Sequence, residues 1–396
     1  MSDGAFDEFY QTGLIGLHAR RAGVARIPRL GAHIGLIGSA VAAKACRFAK
    51  RERPFRSLAL PAITPMNDQP TAGQPRFRRA VLFHNLLSGK ATQQVLASVR
   101  ERISSSIPAI EEYGVETAEV TPEKIRQALD SRPDLVVVAG GDGTVRLIAS
   151  HLVGTNIPLA IIPVGTFNNL ALSLGLASDP VAACAVVENG AVSRIDVGVA
   201  DESNLFFEAA GVGVDAEMFP IGEEIKRGRF LAIFEAIRTM LIHQQTSVEL
   251  KFDRPVNQAY QASFRGYVPL RHRRRRFRKS KDRVQLRCSF LAVANGPFYG
   301  TNLTICPGAK IDDGQLSIAV YRDFSKRELA LHLWSICRGT YRLHPKVETF
   351  QSCYVDVFSR TRLRVHVDGN LIGTTPVRFE VRAGALVVLV PARGGD

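Results

Sequence analysis

Long uninterrupted apolar runs, paired cysteines and a complete phosphate-loop signature are all missing from this chain of 396 residues, and each absence excludes a class. Six cysteines, at 46, 184, 288, 306, 337 and 353, form no CxxC pair, and the histidines are too dispersed to complete a zinc pattern. Reduced, structural thiols in a cytosolic protein are expected. The opening MSDGAFDEFY is acidic, unlike a cleavable signal, and the uncharged stretch from Leu30 to Ala43 is too short to span a bilayer. Residues 147–178 also lack charge, but Pro158, Pro163, Asn168 and Asn169 interrupt them as buried strand and turn would. No membrane-spanning helix is expected. The tripeptide SGK at 88–90 has His84 where a Walker A loop needs glycine, and GVGVDA at 211–216 lacks the βαβ surroundings of a dinucleotide fingerprint.

What is present is an ordinary globular composition, 46% apolar and 22% charged, with length for two domains of roughly 150 residues plus extensions. The net charge of +14 is unevenly placed. Residues 1–79 hold 13 Lys/Arg against 5 Asp/Glu, and residues 271–283 (RHRRRRFRKSKDR) hold 9 against 1. Each is +8, which leaves −2 for the rest. Basicity therefore sits in two appendages on a near-neutral body, which points to an anionic membrane surface as partner and to a cytoplasmic protein peripheral on the membrane. Stacking aromatics are nearly absent from the Arg run, Phe277 excepted, so nucleic-acid binding is not expected.

Residues 1–76 read as a basic extension with one amphipathic helix near 30–49. From Phe77 the pattern becomes strand and helix in alternation: RAVLFHN, a helix placing Val95, Leu96, Val99 and Ile103 on one face, VETAEV, a helix opened by Thr121 and Pro122, DLVVVAG, a helix from Thr144, PLAIIPV and a helix over NLALSLGL. This predicts a three-layer α/β domain with a parallel sheet over 77–192, whose role as a nucleotide-binding domain is implied only by the resemblance given below. After Ser193 the texture is β-rich, with NLFFEAAGVGV read as one strand and helices at 228–243 and 326–340. The reading is a β-sandwich-like second domain over 193–393, with a basic insertion at 254–283; its role as a lipid or substrate domain is what the resemblance given below implies.

Two turns carry chemistry. GGDGT at 140–144 ends a buried strand and opens a helix, so its glycines bring backbone N–H groups to the positive end of a helix dipole, where phosphate is stabilised. Asp142 can hold a metal or accept a proton; Thr144 can cap the helix or donate to phosphate. GTFNNLA at 165–171 follows the next strand, and in a parallel sheet both turns fall on the same carboxyl edge. DDG at 312–314 and VDGN at 367–370 read locally as hairpin turns.

Taken in order, GGDGT, IIPVGTFNNLA, PGAKIDDGQLSIAV and VDGN followed by TPVRFEV and ALVVLVP resemble the lipid kinase family of diacylglycerol kinase and sphingosine kinase catalytic regions, from about Arg79 to Pro391. The resemblance implies ATP and Mg²⁺ in the cleft between an α/β domain and a β-sandwich, with a lipid hydroxyl as phosphoryl acceptor. It assigns ATP contacts to Gly140, Gly141, Gly143, Thr144, Thr166 and Asn168, with Thr121 in addition. Asp142 would orient metal and phosphates or act as base, Asp313 with the carbonyls of Lys310 and Gln315 would hold a structural Mg²⁺, and Asp215 and Glu217 would meet the lipid head group. Asp368 matches the Asp of a DGE motif whose Glu is Asn370 here. An amide is no general base, so either Asp368 or Asp142 takes that role or activity is reduced. A catalytically weak nucleotide- or lipid-binding relative and a soluble NAD kinase-like enzyme remain as alternatives.

Overall fold

The computed structural model describes residues 65–66, 76–115, 122–213, 245–261, 281–299, 305–306, 308–322, 324–325, 327–328 and 346–392. The chain divides into a unit Met1–Leu58, which lies outside the described residues, and a unit Ala59–Asp396, to which everything below belongs. Among the described residues no helix is long and apolar enough to cross a membrane. Thr121, Asp215, Glu217, the helices expected at 228–243 and 326–340, and the core of the Arg run lie outside them.

The elements run β1 (Pro65–Met66), β2 (Arg79–His84), α1 (Gln93–Ser104), β3 (Ala109–Gly114), α2 (Pro122–Asp130), β4 (Leu135–Gly140), α3 (Asp142–Leu152), β5 (Leu159–Pro163) and α4 (Asn169–Ser173). The β-rich part follows with β6 (Ala191–Ala200), β7 (Asn204–Phe206), β8 (Ala209–Gly213), β9 (Thr246–Phe252) and β10 (Tyr260–Gln261). It continues as β11 (Arg283–Ala294), β12 (Leu316–Arg322), β13 (Val347–Ser352), β14 (Tyr354–Ser359), β15 (Arg364–Val367), β16 (Asn370–Thr374) and β17 (Val377–Val390).

Strands β3, β2, β4 and β5 are parallel in that order, the arrangement that strand–helix alternation predicts. β4 (LVVVAG) and β5 (LAIIP) are buried along their whole length because helices cover both faces. Helix α1 is capped by the Thr92 side chain and buries Leu96, Val99 and Ile103. β3 is AIEEYG and mostly exposed, Glu111 and Glu112 included; of the strand expected at VETAEV, residues 116–120 lie outside the described residues. An edge tolerates what a central strand does not.

The last strand ties the two halves together. β17 lies parallel to β5 at Val388–Leu159 and antiparallel to β6 over both their lengths. Its carboxyl half (Leu386, Val388, Leu389) joins the core under the parallel sheet, whereas Val377 and Phe379 join a second core with Leu250, Leu291 and Ile318. β12 and the carboxyl half of β11 are buried on both faces. Leu291, Val293, Ile318 and Val320 face that second core, and Phe290, Ala292, Ala319 and Tyr321 face a third, as period-two alternation between two packed layers requires. β13 has no counterpart in the sequence reading, and VETFQS carries too little alternation to announce it. The cysteines Cys184, Cys288 and Cys306 are buried, in line with structural thiols, and Cys353 is exposed.

Gly198 in β6 marks the tightest packing of the sandwich: a Cβ there would lie 2.1 Å from the ring of Phe206, which packs edge-on against Phe379 at 6.2 Å. Neither ring has room to retreat, both being fully buried. Gly198→Ala is expected to destabilise the protein by about 1–3 kcal/mol through overpacking, read as a lower denaturant midpoint at unchanged slope.

Candidate active site

Three loops leave the carboxyl ends of β2, β4 and β5 and meet over the sheet. Gly141 and Gly165 cross so closely that a Cβ on Gly165 would lie 2.4 Å from the Gly141 Cα. A Cβ on Gly89 would lie 2.8 Å from the Thr166 hydroxyl. Only backbone fits there. Side chains then fasten the loops: the Asn85 amide donates to the Thr144 hydroxyl (3.0 Å), the Lys90 N–H to the Val164 carbonyl (2.7 Å), and the Gly141 N–H to the Ser88 hydroxyl (3.3 Å). HNLLSGK, which forms no Walker A loop, thus supplies the third wall of a glycine cradle.

Helix α3 starts two residues earlier than its apolar periodicity suggests, at Asp142, and its Gly141 N-cap brings no side-chain oxygen. The first-turn N–H groups are therefore left for an outside acceptor. Gly143 is exposed, and a Cβ there would touch nothing within 4 Å. Of the expected phosphate-binding residues, Gly140, Gly141, Gly143 and Thr144 sit on this turn, and exposed Thr166 faces it from the β5 turn. Asn168 takes a left-handed conformation (φ 54°) and closes its own turn, accepting from the Gly165 N–H and donating to the Gly165 carbonyl, each at 2.9 Å. It shapes the cradle from within.

Beside the cradle a cleft of about 60 Å³ is lined by Asp142, Gly143 and Arg146 of α3, Leu170 of α4, Phe207, Glu208 and Asp368. Asp142 accepts the Asn168 N–H at 2.9 Å and also faces the N–H groups of Asn169 and Leu170. Burial raises its carboxyl above the ordinary range and these amides pull it back. Asp142 is thus a cap on α4, and its carboxyl also meets that of Glu208.

Asp368 is more deeply committed. One oxygen accepts the Phe207 N–H (2.8 Å), the other the N–H groups of Glu208 (3.0 Å) and Ala209 (3.1 Å), while its own N–H donates to the Ala209 carbonyl (2.9 Å). Burial raises this carboxyl too, opposed by the three amides and by Arg146. The Asp368–Gly369 pair turns the β15–β16 hairpin with both φ positive (43° and 82°). His366, fully buried, accepts the Gly369 N–H on Nδ1 (3.2 Å), and its Nε2 meets the Tyr299 hydroxyl at 3.0 Å. Asn370 is exposed outside the cleft, its amide on the carbonyls of Val367 and Asp368.

The consequence of the Asp368 clamp is a residue the sequence reading passed over. NLFFEAAGVGV is two strands, β7 and β8, because the amides of 207–209 turn to one carboxylate rather than to a neighbouring strand. At the break, Glu208 enters the cleft. Its carbonyl accepts the N–H groups of Asn295 (2.9 Å) and Gly296 (3.0 Å), and its Oε2 accepts the Asn169 amide at 2.8 Å. Its carboxyl is raised well above the ordinary glutamate value, first by burial, then by the charges of Asp368 and Asp142. The available signal was that Glu208 is the sole charged residue of that segment. Arg146, the lone Lys/Arg of TVRLIASHLV, was missed in the same way.

The DDG turn lies along the same network. Asp196 accepts the N–H groups of Gly314 (2.6 Å) and Gly384 (2.8 Å), and its carbonyl takes the Asn295 amide, which also donates to the Phe207 carbonyl. Asp313 uses Oδ1 for the Gln315 N–H (3.0 Å), leaving its second oxygen. Burial raises it, and the carboxylates of Asp196 and Asp312 add to this against Lys310. Crowded carboxylate and carbonyl oxygens are the donor chemistry of a hard divalent cation. Among the described residues no three His, Cys, Asp or Glu side chains are grouped to hold a metal, so the cation expected at Asp313 with the carbonyls of Lys310 and Gln315 would rest on a single carboxylate.

Residues 79–200 match the family described as the diacylglycerol kinase catalytic domain, and residues 221–390 the YegS C-terminal NAD kinase beta sandwich-like domain. The chain is 25% identical over 313 residues to a diacylglycerol kinase of Staphylococcus epidermidis, covering 76% of this chain and 89% of that protein. It is 24% identical over 313 residues to one of Staphylococcus saprophyticus, covering 76% and 92%. A crystal structure of a diacylglycerol kinase from Bacillus anthracis str. Sterne has the same fold, with a TM-score of 0.59 at 17% identity over 80% of this chain and 98% of that one.

A carboxyl raised in the folded state binds its proton more tightly than in the unfolded chain, so its contribution is full at low pH and is lost as pH rises past the ordinary value of 4.5 toward the raised one. Glu208→Gln keeps an acceptor for the Asn169 amide and carries no charge. The variant is expected to gain thermal stability over the native protein progressively from pH 5 to pH 8, with no gain at pH 4, in melts followed by circular dichroism.

Proposed function

We propose, from the premise that this chain belongs to the lipid kinase family of the diacylglycerol kinase catalytic domain, that it transfers the γ-phosphoryl group of ATP to the hydroxyl of a membrane lipid. Diacylglycerol, the substrate in the relatives' names, is the first candidate acceptor. The observation that carries the reading is a glycine cradle opening directly on a cleft that holds three carboxylates and one guanidinium. The cradle suits the phosphate chain of a nucleotide, and the cleft suits the group that receives the phosphoryl.

Phosphoryl transfer asks little covalent chemistry of a protein; it asks for positioning and for charge neutralisation. Gly140, Gly141, Gly143 and Thr144 would present backbone N–H groups and a helix N-terminus to the phosphates, and Thr166 would close over them, with Thr121 a further contact. Asn168 would act by holding the β5 turn. Arg146, half-buried in the cleft, faces the charge that grows on the transferring group. Mg²⁺, when bound, neutralises charge and stiffens the fold around it; Asp313 with the carbonyls of Lys310 and Gln315 would hold the structural ion. Asp215 and Glu217 would meet the lipid head group.

The membrane is the second partner. Besides the two basic segments, the described surface exposes Arg360, Arg362 and Arg364 next to an exposed Phe358, a cationic rim with an apolar contact, and each well-placed cation adds about 1 kcal/mol at an anionic leaflet.

The test is transfer of label from [γ-³²P]ATP to diacylglycerol, monoacylglycerol, ceramide, sphingosine or NAD in mixed micelles containing phosphatidylserine. Label in diacylglycerol is the expected result, with kcat/KM at least tenfold lower in Arg146→Ala. Label in NAD alone would overturn the reading.

A further inference from the structure

Among the acidic groups of the cleft, Asp142 and Asp368 are spent on backbone. Asp142 caps α4 and Asp368 receives three N–H groups. A proton accepted by either would come at the expense of those bonds, and with them of the loop geometry. Asn370, the residue at the Glu position of the DGE pattern, is an amide, sits outside the cleft and donates to carbonyls of its own turn. The cleft therefore appears, by the motif alone, to lack a proton acceptor. Glu208 is built differently. Its main chain is held on both sides, N–H by Asp368 and C=O by the Asn295 and Gly296 amides, while its carboxyl receives one side-chain amide, from Asn169, and lines the cleft with Asp142 and Arg146.

We propose that Glu208 is the general base of the reaction, the group that takes the proton from the acceptor hydroxyl. The inference rests on the kinase reading above and extends it. The acceptor O–H bond breaks as its oxygen bonds to the γ-phosphorus of ATP. The bond from that phosphorus to the bridging oxygen breaks with its electron pair leaving on ADP, and the hydroxyl proton passes to the Glu208 carboxylate. Once protonated, Glu208 can donate to the neighbouring Asp142 carboxylate, so the proton is received where an acceptor already stands. Burial and the two neighbouring charges raise its affinity for a proton, and its carboxyl meets that of Asp142; a higher proton affinity is the direction that favours taking a proton from a hydroxyl. Arg146 and Asp142 face it from α3, Asn169 from α4 and Asp368 from the β15–β16 turn. In this arrangement the missing motif Glu has a counterpart from a different strand: the carboxylate comes from the β7–β8 break, while the DGN turn supplies the clamp that aims it.

The experiment compares native protein, Glu208→Gln and Glu208→Asp for folding by thermal melt, for ATP affinity by calorimetry and for steady-state lipid phosphorylation with [γ-³²P]ATP. Glu208→Gln is expected to fold and to bind ATP within threefold of the native protein while kcat falls 10²- to 10⁴-fold, the range of general base catalysis; Glu208→Asp is expected to recover at least tenfold over Gln. A Gln variant with kcat within threefold of native overturns the proposal, as does a loss found in ATP affinity with kcat unchanged. Should the Gln variant fail to fold, the shorter pair Glu208→Asp and Glu208→Asn, alike in size and different in acidity, decides by the same criterion. Native protein that binds ATP yet labels no lipid overturns the kinase reading itself and the proposal with it, whereas lipid labelled equally by native and Gln proteins overturns the proposal alone.

Discussion

One buried carboxylate holds the site together. Asp368 gathers the three successive N–H groups of Phe207, Glu208 and Ala209, and successive amides do not point to one place in a regular strand, where they alternate. The strand must break there, and where it breaks Glu208 turns into the cleft. Three charge-assisted bonds of about 1.5–3 kcal/mol each oppose the cost of holding Asp368 itself at positive φ. Without that clamp the segment 204–213 has a ready alternative, one continuous apolar strand.

The clamp connects to the rest through main-chain bonds. From Glu208 the path runs to Asn295 and Gly296 at the end of β11, from the Asn295 side chain to Asp196 in β6, and from Asp196 to the DDG turn and β17. The last strand in turn lies beside β5, whose carboxyl end carries the glycine crossing. Glycine cradle, carboxylate cleft and DDG turn are thus joined by hydrogen bonds to fixed backbone, and each polar group lost from the chain would leave a buried partner unsatisfied.

The parallel domain was legible because its signals are local: β4 and β5 are unbroken apolar runs, α1 shows helical spacing, and GGDGT and GTFNNLA sit at consecutive strand ends. The ordered motifs pointed to the family whose models match residues 79–200 and 221–390. Three features were not legible, each for a physical reason. The edge strand β3 is set by its neighbour β2 rather than by its own glutamates. The break at Glu208 depends on a carboxylate 160 residues away in sequence, so NLFFEAAGVGV read as one strand. The commitments of Asp142 and Asp368 to backbone amides are invisible in a motif, which marks a carboxylate without showing what its oxygens hold. Beside the sequence expectation of a base at Asp368 or Asp142, the geometry shows both carboxylates bonded to loop amides and Glu208 lining the same cleft.

The claim on which the rest depends is that Asp368 clamps the 207–209 backbone, and amide hydrogen exchange reads it residue by residue. In Asp368→Asn, which keeps size and loses charge, protection is expected to fall at the N–H groups of Phe207, Glu208 and Ala209 while β4 and β5 exchange as in the native protein. Unchanged protection at those three amides would contradict the account, since something other than Asp368 would then be holding Glu208 in place.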